Sequence, residues 1–213
     1  MITIIVTSII LLCVGYIGNF YKLKKISDDI AYSNTFKTLL NKYINSNFKN
    51  VDICDSILIK SYKMQRIMGT FGIINSYMPP YENIIINRYE VITNLIQEIN
   101  RIYLNFKEYP NNIIQLANNS IMLYIGFLTE HAGEIKSRLR NPIIILWDGI
   151  FIIFNIPLHA LERIGIITNS VYENIKNNIL YKLLIFIFSI IGLYSNIITI
   201  VDGHTSFIES IFK

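Results

Sequence analysis

Residues Met1 to Tyr21 carry no charged side chain, and neither do residues Leu183 to Val201. An uncharged apolar run of about 20 residues crosses a hydrocarbon core of about 30 Å as a helix, at 1.5 Å per residue. No other feature restricts the fold as much, because a chain in lipid must satisfy every backbone polar group inside its own helices. Composition agrees. Hydrophobic residues make up 52%, charged residues only 16%, and mean hydropathy is +0.42. About a quarter of the residues in a soluble domain are charged, and disorder requires low hydrophobicity.

Lys22, Lys24 and Lys25 follow the first run directly. A secretory signal would place its positive charges before the apolar stretch and a small-residue cleavage site after it. The reversed order predicts an uncleaved anchor over 1–21, with its N-terminus outside and the lysines in the cytoplasm. Lys176 and Lys182 precede the second run, so the span over 183–201 is predicted to leave the cytoplasm. All 19 Lys/Arg except Lys213, and all 15 Asp/Glu except Asp202 and Glu209, lie in 22–182. That stretch is net basic, which suits the face of an anionic leaflet. The charges are too evenly spread for nucleic acid.

The predicted class is thus an all-α integral membrane protein with a cytoplasmic helical bundle over 22–140. Ile26 to Met68 reads as two helices with a break at Asn45–Asn50, followed by a loop from Gly69 to Pro80. Ile84 to Phe106 reads as an amphipathic helix. Ile85, Ile92, Ile99 and Phe106 repeat every seven residues, with Leu95 and Ile102 between them, so these six are expected to form the domain seam. Asn111 to Leu139 reads as another packed helix. No window alternates strongly enough to predict a sheet.

Residues 141–168 follow Lys136, Arg138 and Arg140. Asp148, Pro157 and Glu162-Arg163 interrupt an otherwise apolar stretch, and a carboxylate in a span costs about 2.5–3.5 kcal/mol. An interfacial or re-entrant helix against the cytoplasmic leaflet is expected. Trp147 would sit at the headgroups with Lys22, Lys24, Lys25, Arg138 and Arg140. The other reading is a third crossing, which moves the C-terminus to the cytoplasm.

Enzyme signatures are missing: no G-x-S-x-G, Walker loop, G-x-G-x-x-G, H-E-x-x-H or C-x-x-C occurs. His131 with Glu130 and Glu134 reads as a solvated face. Asp28-Asp29 and the Asp52/Asp55 pair read as helix N-terminal charges. Cys13 and Cys54 cannot staple a secreted fold. No cofactor or metal is expected. In the last run, Ser189, Gly192, Asn196 and Thr199 share one helix face. That face either packs against Ser8, Gly15 and Gly18 of the first span, or lines a polar pore in a homo-oligomer.

Arg88 to Ile96, reading RYEVITNLI, resembles the R-x-D-L-I-P-N-L-V motif of LemA-type membrane proteins, which begin with an outward-facing span and continue as a helical bundle. Thr93 stands at the family's proline, and no residue role is carried over. Two functions are expected: an oligomeric membrane effector that forms a pore or disrupts the bilayer when its cytoplasmic domain is triggered, or an anchored scaffold recruiting a soluble partner or signal ligand. The Ile- and Asn-rich composition suggests an AT-rich bacterial gene, and by analogy with small membrane effectors a role in phage defence.

Overall fold

The computed structural model describes residues 2–192 together with Ser195 and Ile198. Among the described residues the α-helices and strands are, in order, α1 (Ile2–Asn45), α2 (Val51–Met68), β1 (Ile73–Tyr77), β2 (Ile86–Glu90), α3 (Leu95–Asn100), α4 (Asn111–Arg138), α5 (Pro142–Arg163), α6 (Asn169–Asn177) and α7 (Ile179–Gly192). The protein is mostly helical. α1 and α5 are long and apolar enough to cross a membrane, and α6 with α7 forms a further candidate bent by 61°. The chain divides into two compact units, residues 23–134 and residues 1–22 with 135–213.

In the 23–134 unit, the expected break falls at 46–50 for a definable reason. The Asn47 N–H donates to the Ile44 carbonyl and the Phe48 N–H to the Tyr43 carbonyl. This is the Schellman closure of a helix, with asparagine at the left-handed position (φ 52°). Phe48 follows at φ 61° and puts its ring against Tyr43, Tyr103 and Tyr109, at centroid distances of 5.6, 5.0 and 5.4 Å. Asn50 then caps α2 by accepting from the Ile53 N–H at 3.0 Å. The core gathers Phe36, Leu40, Ile57, Met64, Ile99, Ile113 and Ile121 from α1 to α4, all fully buried.

The largest departure from expectation lies between Gly69 and Phe106. Helix does not begin at Ile84. Residues 73–77 and 86–90 form an antiparallel two-stranded sheet, with Ile73 opposite Glu90 and Tyr77 opposite Ile86. A turn over 91–94 leads into α3, and a π-helical segment, Arg101–Asn105, extends it. Of the expected seam, Ile92, Leu95, Ile99 and Ile102 are buried, but Ile85 and Phe106 are exposed. The turn is held by a side chain: buried Gln65 of α2 accepts the Ile92 N–H at 3.1 Å, and the Val91 N–H donates to the Gly72 carbonyl. A buried amide hydrogen left without such a partner costs about 1–3 kcal/mol.

In the other unit, Asn141 caps α5, accepting from Ile143 and Ile144, and Pro142 occupies the first turn, where its missing N–H is not needed. Pro157 does not interrupt the helix, which continues to Arg163. The elbow expected over 141–168 is therefore a continuous helix of membrane-spanning length up to Arg163. The C-terminal run begins its helix at Ile179 rather than Leu183 and is described to Gly192; Asn196 and Thr199 lie outside the described residues.

Candidate functional site

Two apolar helices approach closely where side chains are absent. In the unit formed by 1–22 and 135–213, Gly15 of α1 and Gly149 of α5 sit at a crossing. A Cβ added to Gly15 would strike the Ile145 carbonyl oxygen, and one added to Gly149 would strike the Leu11 carbonyl oxygen. Backbones this close are the way helices associate in lipid, where no hydrophobic effect drives them together. The glycine Cα–H groups point at those carbonyls, a weak hydrogen-bonding geometry of helix contacts. Gly18 meets the Ile152 side chain. Gly15 and Gly18 thus pack as small residues against α5.

Beside this crossing lies a polar network. Asp148 is 8% exposed, and each of its carboxylate oxygens holds a donor: Arg138 Nη2 reaches Oδ1 at 2.6 Å, and Asn19 Nδ2 reaches Oδ2 at 3.0 Å. Asn19 is 2% exposed, and its amide also donates to the Gly15 carbonyl at 2.9 Å. Asp148 is therefore not the lone carboxylate that counted against a crossing. Arg138 ends α4, and the three-residue turn before α5 lets its long side chain reach two turns into the next helix. Asn155, seven residues further along α5, is also buried, and its Nδ2 donates to the Phe151 carbonyl. The sequence carries a signal for this pairing: Asn19 and Asp148 are each flanked by glycine in an apolar stretch, and such groups seek one another in lipid.

Ser8 and Ser189 border one cavity elsewhere in the same unit. With Thr7, Leu11, Phe154 and Gly192 they line a cavity of about 280 Å³. Ser189 donates to the Ile185 carbonyl at 2.7 Å, and a Cβ on Gly192 would meet nothing within 4 Å. Trp147 is half-buried and sets its ring edge-on to Phe186 at 5.8 Å, while Lys22, Lys24, Lys25 and Arg140 are exposed.

The 23–134 unit holds a second polar cluster. Tyr77 donates to Glu98 Oε1 at 2.9 Å; Arg101 clasps both Glu98 oxygens and reaches Glu82 and the Pro80 carbonyl. Tyr77 stacks on Tyr89 at 4.2 Å. Burial, reinforced by the Glu98 charge, pushes both phenols far above the ordinary tyrosine range. Burial also pushes Tyr124 up to about 12. These three phenols are protonated in the folded chain at pH values where unfolded tyrosine, with a pKa of about 10, ionises. Their stabilisation is complete below about pH 10 and declines as pH rises toward and beyond 12. An alkaline titration is expected to show loss of helix and tyrosinate absorbance rising together above pH 10, with Tyr124→Phe making the loss shallower. Tyrosinate appearing well below the loss of helix would contradict this.

Two imidazole–carboxylate pairs, His131 with Glu134 and His159 with half-buried Glu162, lie on helix surfaces. Among the described residues no three His, Cys, Asp or Glu side chains gather to hold a metal ion. No protein-family model, curated protein or solved structure matches this chain. The stretch resembling the LemA-type motif folds here as a strand, a turn and the start of α3.

Proposed function

We propose that this chain is a non-enzymatic membrane protein that works by contact. α1 and α5 fix it in a bilayer, and the central region between them faces the cytoplasm and binds protein. The observation that carries the reading is the saturated Asn19–Asp148–Arg138 network. Asp148 is the acidic group in the apolar stretch of α5 that precedes His159, and its oxygens are engaged within the chain, so it serves helix packing rather than transport. Basic residues adjoin both helices on the same side, Lys22, Lys24 and Lys25 after the first apolar run and Lys136, Arg138 and Arg140 before α5, which favours a cytoplasmic centre.

A second reading, an ion-conducting oligomer, is favoured by the grouping of Thr7, Ser8 and Ser189 along one otherwise apolar cavity. Vesicles containing the purified chain separate the two. A potassium gradient is expected to hold while the protein resists carbonate extraction. Collapse of the gradient, restored by Ser189→Leu, would transfer the assignment to the pore. Release by carbonate would end both.

A further inference from the structure

The cavity bordered by α1, α5 and α7 combines apolar walls with a hydroxyl that the chain itself does not engage. Leu11 of α1 and Leu146 and Ile150 of α5 are half-buried along it, and Phe154 and Phe188 are exposed at its rim. Gly192 borders it as well, at a position where an added Cβ would meet nothing within 4 Å. Ser189 turns its hydroxyl back onto its own helix, donating to the Ile185 carbonyl at 2.7 Å, as a serine inside an apolar helix commonly does. Ser8 does not: it has no hydrogen-bond partner among the described residues.

Apolar walls with a few placed polar groups are what a small-molecule site consists of. A hydroxyl facing hydrocarbon without a partner is costly, so an acceptor that enters beside Ser8 is favoured. Size limits the occupant. A dry apolar cavity of about 150 Å³ takes a benzene-sized molecule. At about 280 Å³ this one takes roughly twice as much, about a dozen non-hydrogen atoms. Charge limits it further: no cationic side chain lines the cavity among the described residues, so an ionised head would lie unpaired in lipid. We infer that the cavity binds a medium-chain alcohol dissolved in the bilayer, with its tail along Leu11, Leu146 and Ile150 and its oxygen accepting from Ser8. A phospholipid fits worse. With Lys22 at the cytoplasmic boundary, Ser8 lies fourteen residues away, about 21 Å along the helix and so about 9 Å inside a core of about 30 Å. Phospholipid ester groups stay outside that core. The inference goes beyond the contact reading above and shares its premise that α1 lies in the bilayer.

The test uses the full-length chain in nanodiscs and tritiated decan-1-ol as the probe. Discs carrying the chain are expected to retain the alcohol in saturable excess over empty discs, approaching one molecule per chain. Gly192→Phe adds a ring at the cavity wall and is expected to remove the excess. Ser8→Ala keeps the walls but removes the donor, and is expected to bind roughly threefold to tenfold more weakly, the worth of one hydrogen bond. Ionised decanoate is expected not to compete. Uptake that rises linearly as in empty discs, an excess that survives Gly192→Phe, or equal binding by the parent and Ser8→Ala would each overturn the site, as would competition by decanoate. Should Gly192→Phe fail to fold by circular dichroism, the Ser8→Ala comparison still decides. Carbonate extraction reads the shared premise separately. A chain that resists carbonate but shows no saturable excess removes the alcohol site and leaves the membrane assignment standing; a chain that carbonate releases removes the assignment itself.

Discussion

Gly149→Val will separate α1 from α5. The new side chain cannot turn away, because its Cβ already meets the Leu11 backbone oxygen. Overpacking by a few methyl groups costs about 1–3 kcal/mol when side chains can adjust; here a helix backbone must move, so about 3 kcal/mol or more is expected. Trp147 is the single tryptophan and lies two residues away, so its fluorescence during denaturant titration in micelles reports the loss directly. Gly126→Ala is the contrast. Gly126 lies inside α4 with nothing within 4 Å of an added Cβ, and alanine improves helix propensity by about 0.8–1 kcal/mol. Equal destabilisation by the two changes would show that the crossing is not close-packed.

Arg138→Ala is the second large effect. Removing one partner of a buried ion pair costs about 3–5 kcal/mol, because the other charge stays behind. Arg138 is half exposed and Asp148 is not, so water recovers part of the loss and about 2–3 kcal/mol is expected. Asp148→Asn removes the charge but keeps an acceptor for Asn19, so it should cost about 1 kcal/mol. Combined with Arg138→Ala it should cost little more than the milder change alone, the non-additivity expected of groups in one network. Arg140→Ala, two residues along and exposed, should fall within about 0.5 kcal/mol of the parent. An Arg138→Ala loss no greater than that of Arg140→Ala would dissolve the network as a structural element.

Local signals were legible where they act alone. The uncharged N-terminal run, the asparagine-rich break after Asn45 and the helix opening just after Pro110 each follow from residues within a few positions of one another. Prolonged helicity in α1 past Lys22 was also written there, since no glycine or proline lies between Gly18 and Asn45 to stop it. The segment after Pro80 departs from the expected helix because isoleucine spaced by seven suits a heptad, while β-branched residues fit a strand equally well. What decides between them is distant: β1 offers an edge to β2, and Gln65 waits on α2 for the Ile92 amide. The α1–α5 crossing was hidden for a related reason. Gly15 pointed to close packing, but nothing near it in the chain says that Gly149, rather than Gly192, is the residue it meets.

The corner between α1 and α2 places two neighbours under one constraint with opposite remedies. Asn47 and Phe48 both hold a positive φ, a conformation that costs an L-residue roughly 1–2 kcal/mol and glycine nothing. At Asn47, which is exposed, asparagine bears the twist better than most residues, and a glycine there would shed what cost remains. At Phe48 the same twist is what swings the ring among three tyrosines, so a glycine would relax the main chain and empty the aromatic cage it was bent to fill. Sign of torsion alone cannot forecast tolerance at this bend; the deciding quantity is what each side chain does once it has been turned.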